Sequence, residues 1–471
     1  MTGATFTRVG SAAVLTVAIL APLLSSVSAR AQSIDQTLIQ AYRNNPDLNS
    51  ARAGVRVANE GVPAALSGYR PSVTATLTAG GQYTEAGSGA NGRTGTPPFH
   101  SVTRTFPRSA TLTATQPLFD GNRTVNSVRQ ADQNVMVARE TLRNSEQTVL
   151  LASSTAHMNV LREQAVLDLR HRAVEVFREQ LRATRDRFAV GEVTRTDVAL
   201  AESALQGAIA TESGAQSDLA NSRSVYVQQV GIQPGRLTPA RTVERLLPRQ
   251  LDAAIIAGQS EHPAIRGARY GADSSLLQVR IAESALYPTV GLSASLFQGA
   301  EQSTGGQVSS ASIGATLTIP IFANGGRDYA TIRGAKEAYG QRRIQVESAT
   351  ASVRQAVVQS WAALEAARAQ IQAAEVQVRA QTIAVNGIRE EYKVGQRTII
   401  DVLNATQNLF EARVALVRAQ RDRVVLSYSV LSAMGRLNAP VLALRTEIFD
   451  PTQHYQQVRD LWFGVRTPDG R

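Results

Sequence analysis

The chain has 471 residues and no cysteine, which excludes disulfides, thiolate nucleophiles, cysteine-based zinc sites and lipid-modified cysteines. Charged residues make up only 18% of the sequence and aromatic residues 5%, while the formal net charge is +11. Because arginine and lysine form no long block, this charge does not indicate a nucleic-acid-binding arm. We therefore expect no nucleic-acid partner.

The N-terminal segment has the features of a secretory signal peptide. Arg8 supplies positive charge, residues 12–24 form an apolar run, and the Ala-Arg-Ala sequence at 29–31 fits a cleavage site. The run is shorter than the ~20 apolar residues that a membrane-spanning helix needs, and no later segment reaches that length. We therefore expect segment 1–31 to be removed by a signal peptidase and the mature chain to contain no membrane-spanning helix.

The sequence repeats itself once, with an offset that changes along the chain. Pro71 is matched by Pro288 at an offset of 217, whereas Gly191 is matched by Gly395 at an offset of 204. The surplus of the first repeat falls in the Gly- and Ser-rich segment 86–96, which has the composition of a loop. The pattern divides the mature chain into two structural repeats and a C-terminal tail. These are residues 32–249, 250–438 and 439–471.

Each repeat contains a segment that predicts a very long helix. Residues 124–190 contain neither glycine nor proline, and at 1.5 Å per residue they would form a rod of about 100 Å. Apolar residues recur every seven positions, which predicts a coiled coil. The long helices are predicted over 122–190 and 327–393. The predicted seam residues are Val160, Leu167, Val174 and Leu181, and Leu364, Ile371, Val378 and Val385.

Four other segments alternate apolar with small polar residues and are almost free of charge. This pattern is typical of transmembrane β-strands that face lipid on one side and water on the other. The alternative is a pair of half-buried hairpins in a water-soluble protein. The strands are predicted over about 72–84, 108–117, 289–298 and 308–320. Aromatic residues near their ends are predicted to lie at the membrane surfaces: Tyr69, Tyr83, Phe106, Phe119, Tyr287, Phe297 and Phe322.

Four strands are too few to close a barrel, because about eight is the smallest number that does. An open sheet edge in lipid would leave peptide groups unpaired at several kcal/mol each. The strands of several protomers must therefore combine, and a dimer, a trimer or a tetramer would each satisfy this requirement. An even number of strands returns the chain to the side of export, so the helices are predicted to project into the periplasm.

Three stretches of the sequence resemble the TolC family of outer-membrane channels. Residues 392–406 read Tyr-Lys-Val-Gly-Gln-Arg-Thr-Ile-Ile-Asp-Val-Leu-Asn-Ala-Thr, and residues 187–198 give a related pattern in the first repeat. The sequence Asn-Asn-Pro-Asp-Leu at 44–48 is similar to the start of the family pattern. The resemblance covers nearly the whole mature chain. It implies a mixed α/β membrane protein: a homotrimer with a twelve-stranded β-barrel, four strands per protomer, above a coiled-coil periplasmic tunnel.

The resemblance also implies a function and partners. A TolC-like protein is a passive duct in the outer membrane of a Gram-negative bacterium, which conducts drugs, small molecules or type I-secreted proteins. Its partners are outer-membrane lipid, a periplasmic adaptor (membrane fusion) protein and an inner-membrane transporter of the ABC or RND type, and its tail is periplasmic. The residues alone leave open an alternative, a soluble periplasmic coiled-coil scaffold or adaptor.

The sequence does not favour an enzyme. No His-Glu-x-x-His metal motif occurs, and the Gly-rich segment near residue 80 lacks the Gly-Lys-Ser/Thr end of a phosphate-binding loop. We expect no catalytic residue, cofactor or metal. The five histidines are scattered along the chain, and we expect them at the surface or in loops.

In the TolC family the turns that follow the long helices converge and close the tunnel. Carried over to this chain, the resemblance implies a periplasmic gate in which Asp197 contacts Tyr392 and Arg397 contacts Thr196 or Asp197. Such exposed pairs are individually weak, which suits a gate that docking must open. The two tips that contain these residues are predicted at 188–197 and 392–404.

The same comparison implies an entrance ring and a docking surface. Asp401 is implied to line a carboxylate ring that attracts cations, as charged rings do in pores. The family pattern has a second aspartate where this chain has Asn404, so we expect a weaker cation preference here. The apices of the two turns are implied to contact the adaptor. They consist of Val190 and Gly191, and of Val394 and Gly395.

A purely structural role is also available to some of these residues. The Thr-x-x-Asp spacing at 194–197 and again at 398–401 predicts helix N-terminal capping boxes, and Gly191 and Gly395 could end the preceding helices. Capping and gating are compatible for the two aspartates. Capping does not account for Arg397 or Tyr392, for which the resemblance favours gating.

Overall fold

Two hairpins of very long helices dominate the protomer, and a small β-sheet lies at one end. The computed structural model describes residues 32–88, 99–301, 306–322 and 324–470, so the predicted signal peptide lies outside the described residues. The helices are α1 (Ile34–Asn44), α2 (Pro46–Leu66), α3 (Arg123–Ala189), α4 (Arg195–Val230), α5 (Leu251–Glu261), α6 (Pro263–Glu283), α7 (Arg327–Lys393), α8 (Ile399–Ala433) and α9 (Pro451–Val458).

Equivalent helices in the two halves of the chain have matching lengths. The helices α2 and α6 each contain 21 residues, and α3 and α7 each contain 67. The starts of α2 and α6 are alike as well, because each has proline in its first turn and a side-chain cap. Asn45 accepts hydrogen bonds from the amides of Asp47 and Leu48, and His262 accepts one from Ala264. The two predicted long helices, each about 100 Å in length, are confirmed.

The long helices lie side by side in the order α4, α3, α8, α7, since α3 packs on α4 and α8, and α8 packs on α7. Among the predicted seam residues, Val160, Val174, Leu181, Leu364 and Val385 are buried, and Leu167, Ile371 and Val378 are half-buried. Near the sheet, α2 and α6 pack against α3, and α6 also packs against α7. The coiled-coil prediction is therefore confirmed at the level of the protomer.

None of the helices in the described part of the chain combines the length and the apolar character that a membrane crossing requires.

The sheet contains the predicted strands. They are β1 (Ser72–Ala79), β4 (Pro107–Phe119), β5 (Thr289–Glu301) and β6 (Gly306–Thr318), all antiparallel and in the spatial order β1-β4-β5-β6. The strands β4, β5 and β6 contain 13 residues each, more than the 9–11 that cross a bilayer when tilted. Within the described residues, β1 and β6 are each paired on one side only, so both edges of this sheet are open.

The strand register separates the two faces of the sheet by polarity. Ala75, Leu112, Leu296 and Ala311 lie in one row across the four strands, and adjacent positions form a row of hydroxyl residues. On the hydroxyl face, side chains of adjacent strands are hydrogen-bonded, as between Ser295 and Ser312 at 2.8 Å. The first face is apolar in its central rows, with Gln298 and Ser309 on it nearer the end far from the helices, while the second face has its own polar network.

The predicted strand over 72–84 is wrong in one respect, because β1 ends at Ala79. The chain bends at Gly80 and Gly81 and continues as β2 (Gln82–Ser88), which pairs with β3 (Phe99–Thr105) in a separate two-stranded sheet. Part of the segment 86–96, expected to be a loop, therefore belongs to β2. The bend is tied back to the main sheet by a hydrogen bond from the amide of Gly80 to the carbonyl of Pro107. Glycines lower strand stability, so they mark the break.

The expectation that the histidines lie at the surface or in loops is wrong for His157, which is fully buried in α3. Its Nε2 lies 3.2 Å from the carbonyl oxygen of Thr238 and its Nδ1 lies 2.8 Å from the Thr37 hydroxyl, which lies 3.0 Å from the Tyr226 hydroxyl. A carbonyl can only accept, so Nε2 donates and Nδ1 accepts from Thr37. The neutral imidazole thus joins α1, α3 and α4.

Burial lowers the pKa of His157 below its ordinary value of about 6.5. Between these two values the unfolded chain binds a proton that the folded protein excludes, so the contribution to stability is complete above pH 6.5 and is lost as the pH falls below it. We expect His157→Gln to show a smaller loss of thermal stability between pH 7.5 and pH 5 than the unsubstituted protein. Circular dichroism of the detergent-solubilised protein measures this.

The matched control is His100→Gln, since His100 is an exposed histidine in β3. We expect its pH dependence to be that of the unsubstituted protein. Equal pH dependence of His157→Gln and His100→Gln would contradict the assignment.

Candidate functional site

The two helical hairpins end in turns of the same construction, at the end of the protomer opposite the sheet. Gly191 follows α3 with φ +79° and Gly395 follows α7 with φ +80°, the left-handed conformation that favours glycine. The amide of Gly191 donates to the carbonyl of Phe188, and that of Gly395 donates to the carbonyl of Tyr392. A Cβ atom at either glycine would meet no neighbour within 4 Å, so the backbone conformation alone requires glycine.

The next helix in each hairpin begins with the predicted capping box. At the start of α4, the Thr194 amide donates a hydrogen bond of 2.8 Å to Asp197 Oδ2, and the Asp197 amide donates one back to the Thr194 hydroxyl. Thr398 and Asp401 do the same at the start of α8, at 3.0 Å. The pKa of Asp401 is lowered mainly by the hydrogen bond from the Thr398 side chain. The Thr398 amide and the nearby charge of Arg397 lower it further. Asp401 therefore stays ionised at neutral pH.

Ion pairs close both turns, and their polarity is opposite in the two hairpins. In the first, Arg187 Nε lies 2.8 Å from Glu192 Oε2, with the cation before the turn. In the second, Arg397 Nε lies 2.8 Å from Glu391 Oε2, with the cation after the turn. Sequence reasoning missed Arg187, Glu192 and Glu391. The signal was present, because Arg187 and Glu391 lie 204 residues apart, at equivalent positions of the two repeats.

Tyr392 joins the two tips of one protomer. The guanidinium of Arg187 lies over its ring at 4.7 Å from the centroid, across the boundary between the hairpins. The ring packs against an apolar cluster to which α3, α4 and α8 all contribute, with Phe177 and Leu403 among its members. The Tyr392 hydroxyl is buried without a hydrogen-bond partner among the described residues. The Arg187 guanidinium interacts with this phenol as well as with Glu192: the pKa of Arg187 is raised first by its hydrogen bond to Glu192 and further by Tyr392.

The structure brings all four predicted gate residues to one end of the protomer but gives them other partners there. Arg397 contacts Glu391, Tyr392 contacts Arg187, Asp197 caps α4, and the side chain of Thr196 is exposed. The predicted contacts of Asp197 with Tyr392, and of Arg397 with Thr196 or Asp197, stay predictions. The other predicted site residues lie beside them, with Val190 and Val394 exposed at the two apices.

The two predicted entrance residues, Asp401 and Asn404, begin a polar stripe on α8. Asn404 is exposed one turn after Asp401, and Asn408, Glu411 and Arg418 continue along the same face at helical spacing. With Gln377 and Gln381 of α7, the later members line a cavity of about 360 Å³. Among the described residues, no group of three or more His, Asp or Glu side chains is arranged to hold a metal ion.

A bidentate ion pair joins the hairpins above the tips. Arg170 of α3 donates two hydrogen bonds to Glu411 of α8, at 2.6 and 3.1 Å. The hydrogen bonds from Arg170 are the largest cause that lowers the pKa of Glu411. Each protomer therefore has its two hairpins connected at several levels, among them this pair, the cluster around Tyr392 and the hydrogen bonds from Arg421 to Asn159.

Comparisons with known proteins agree with this architecture. The chain is 40% identical over 454 residues to the outer membrane efflux protein BepC of Brucella suis biovar 1 (strain 1330), covering 95% of each chain. It is 27% identical over 447 residues to the outer membrane protein TolC of Escherichia coli (strain K12), covering 91% of this chain and 87% of TolC. Among solved structures, the Campylobacter jejuni CmeC outer membrane channel superposes with a TM-score of 0.74 at 17% identity, covering 91% of this chain and 89% of that one.

The sequence profile of one protein family covers most of the chain, with matches to residues 37–225 and 258–436. These segments include all six strands and nearly all of both long hairpins described above. Together with the relative at 40% identity, they establish that the chain belongs to the outer membrane efflux protein family.

Proposed function

We propose that three copies of this chain form a passive channel-tunnel in the outer membrane of a Gram-negative bacterium. The sheets of the copies combine into one twelve-stranded barrel in the membrane, and the long helices form a tunnel in the periplasm. The duct accepts exported drugs, small molecules or type I-secreted proteins from an inner-membrane transporter of the ABC or RND type, through a periplasmic adaptor. It performs no enzymatic reaction and needs no cofactor, because the partner pump supplies the energy.

The observation that carries this proposal is the open, two-faced sheet. Both edge strands expose unpaired peptide groups, and lipid tolerates none, so copies must meet edge to edge. The only charged residues of the four strands are Arg108 and Glu301, both at the end of the sheet far from the helices. The apolar rows can therefore face hydrocarbon, while the hydroxyl rows face a water-filled interior.

The helical layer supports the same arrangement. The helices α4 and α7 stand at the two ends of the row in one protomer, so each has a side on which a neighbouring copy can pack. On α7, Val376 and Ile383 are seven residues apart and remain 55% and 74% exposed, so they form a short apolar stripe that the described part of the protomer leaves uncovered. In a closed ring this stripe would be covered by a neighbouring copy. A soluble scaffold would leave both this stripe and the sheet in water, so it is the less favoured function.

The tips supply the gate of this duct. In the ring, Arg397 can exchange its partner Glu391 for Thr196 or Asp197 of the adjacent copy, and the Tyr392 hydroxyl can donate a hydrogen bond to Asp197. Because Arg397 and Glu391 are both exposed, the exchange costs little desolvation. The apices at Val190 and Gly191, and at Val394 and Gly395, then present the adaptor with apolar, exposed turns next to the gate.

Purified protein in a planar lipid bilayer is expected to conduct ions in discrete steps with a moderate preference for cations. Asp401 supplies one ionised carboxylate per copy at the entrance, and Asn404 lies one turn away on the same face. We expect Asn404→Asp to add a second ring of carboxylates, which strengthens both the cation preference and the block by a trivalent cation added on the tip side. Single-channel recording measures both.

The control is Gln396→Glu, which adds the same charge at an exposed turn outside the entrance ring. We expect its block to resemble that of the unsubstituted protein. Equal block of Asn404→Asp and the unsubstituted protein would refute the entrance assignment, and the absence of any conductance would refute the channel itself.

Removing the gate cation should open the channel. We expect Arg397→Gln to raise single-channel conductance severalfold, because the bonds to the adjacent copy are lost. Glu391→Gln should leave conductance unchanged or lower it, because it frees Arg397 from its partner within the protomer. Planar-bilayer conductance under one set of salt conditions compares the two variants.

Lys393→Gln provides a charge-matched control for Arg397→Gln. Lys393 is a cation of the same tip whose exposed partner, Glu390, lies one turn earlier in the same helix. Its conductance should match that of the unsubstituted protein. If Arg397→Gln and Glu391→Gln raise conductance equally, the pair merely stabilises the turn, and the gate assignment is wrong.

A further inference from the structure

The C-terminal tail follows α2 from the middle of the protomer towards the sheet. Thr446 accepts a hydrogen bond from Arg43 just before α2, at 2.9 Å. His454, in α9, lies 3.3 Å from Asn59 in the middle of α2. The carbonyl of Leu461 accepts a hydrogen bond of 2.6 Å from Arg70, beyond the end of α2. The contacts advance together along both segments, so the tail climbs the ~32 Å length of α2.

The tail ends in a short apolar segment that the protomer leaves uncovered. We call residues 461–465, with the sequence Leu-Trp-Phe-Gly-Val, the aromatic segment. Trp462 is 63% exposed, Phe463 89% and Val465 99%. The Arg70 guanidinium lies 4.8 Å from the centroid of a Trp462 ring, and so fixes the height of the segment relative to the sheet.

The aromatic segment lies level with the ends of the strands that are next to the helices. Arg70 lies two residues before β1, and the carbonyl of the preceding Tyr69 accepts a hydrogen bond from Gln116 near the end of β4. Exposed aromatic residues stand at the same end of each strand of the main sheet: Tyr69, Phe119, Tyr287 and Phe322. The aromatic segment is thus continuous with the belt of aromatic side chains at the periplasmic boundary of the proposed barrel.

We propose that the aromatic segment is a membrane anchor that inserts into the periplasmic leaflet of the outer membrane beside the barrel. The inference rests on the proposed function, because it needs the sheet to lie in lipid. Trp favours this boundary, where its ring is buried among lipid and its indole N–H remains within reach of polar headgroups. Phe463 and Val465 add apolar surface on the same short segment, and Arg70 holds the segment at the level of the headgroups.

The anchor gives the tail a mechanical role. The contacts with Arg43 and Asn59 attach the tail to the helical layer, and the aromatic segment would attach the same tail to the membrane surface. The tail would then link the tunnel to the lipid on the outside of the protomer, independently of the strands.

The chain contains two tryptophans, Trp361 and Trp462, so Trp361→Phe leaves Trp462 as the only tryptophan, whose emission is selected by exciting at wavelengths that tyrosine does not absorb. The mature trimer is reconstituted into vesicles of phosphatidylethanolamine and phosphatidylglycerol, with or without bromine on the acyl carbons nearest the headgroups. We expect the brominated lipid to quench most of the Trp462 emission. If Trp361→Phe lowers the helix content, the difference between the unsubstituted protein and Trp462→Phe gives the same signal.

Two controls separate this inference from the proposed function. Trp462→Phe retains only Trp361, which lies ~50 Å along α7 from the sheet and should not be quenched. A reporter introduced by Tyr287→Trp, in a background that lacks both native tryptophans, should be quenched because it stands at the base of β5.

If the Tyr287→Trp reporter is quenched and Trp462 is not, the anchor is refuted and the channel stands. If neither is quenched, the sheet does not lie in lipid and both proposals fail. Trp462 emission that responds to aqueous iodide but not to brominated lipid would place the segment in water. Emission that responds to neither would indicate that a neighbouring copy covers the segment, and either result overturns the anchor.

Discussion

The structure depends on a constraint that one protomer cannot meet alone: the edges of its sheet and of its helical layer have no partners within the described residues. The sheet presents unpaired backbone groups along β1 and β6, and the row of long helices presents free sides along α4 and α7. In lipid, each unpaired backbone group at a sheet edge costs several kcal/mol. In water, the free sides of α4 and α7 leave apolar area exposed, which is also unfavourable. One rotation that repeats the protomer around an axis satisfies both layers together. In the proposed trimer, the barrel and the tunnel therefore follow from the same closure of the ring.

At the tips, in contrast, the contacts are weak and exchangeable. Their ion pairs are exposed, and each cation has an anion available within its own hairpin, so partners can be exchanged without leaving a buried charge. The apolar cluster around Phe177 would keep the two hairpins of a protomer together during the proposed exchange. In the proposed duct, strong closure in the membrane and weak closure at the tips would let the assembly persist while its end opens.

Much of the fold could be predicted because it depends on periodic patterns. The heptads of α3 and α7 and the alternation in β4, β5 and β6 repeat often enough to determine element type and nearly the element bounds. The break at Gly80 was missed because two glycines inside an alternating pattern do not say whether a strand continues or bends. His157 was missed because the burial of a single histidine depends on Thr37 and Thr238, which lie far from it in sequence.

The site was predictable in its location but less so in its contacts. The turn glycines and the Thr-x-x-Asp spacings mark local structure, and local structure is what short motifs encode. The contact of Arg187 with Tyr392 joins residues 205 positions apart and follows from the packing of two hairpins. The course of the tail was unpredictable for the same reason, since its aperiodic sequence finds its partners on α1 and α2, some 400 residues earlier.

Covalent trapping of the sheet edges tests the closure most directly. The chain has no cysteine, so a pair introduced by Leu77→Cys in β1 and, in turn, Ile313→Cys, Ala315→Cys or Leu317→Cys in β6 is the only source of disulfides. Within one copy these strands are separated by β4 and β5, about 14 Å apart, which is too far for a disulfide. For at least one of these cysteine pairs, oxidation of membranes that contain the protein should give covalent dimers and trimers and no larger species. Monomers with every pair, or a ladder that continues beyond three, would contradict the account.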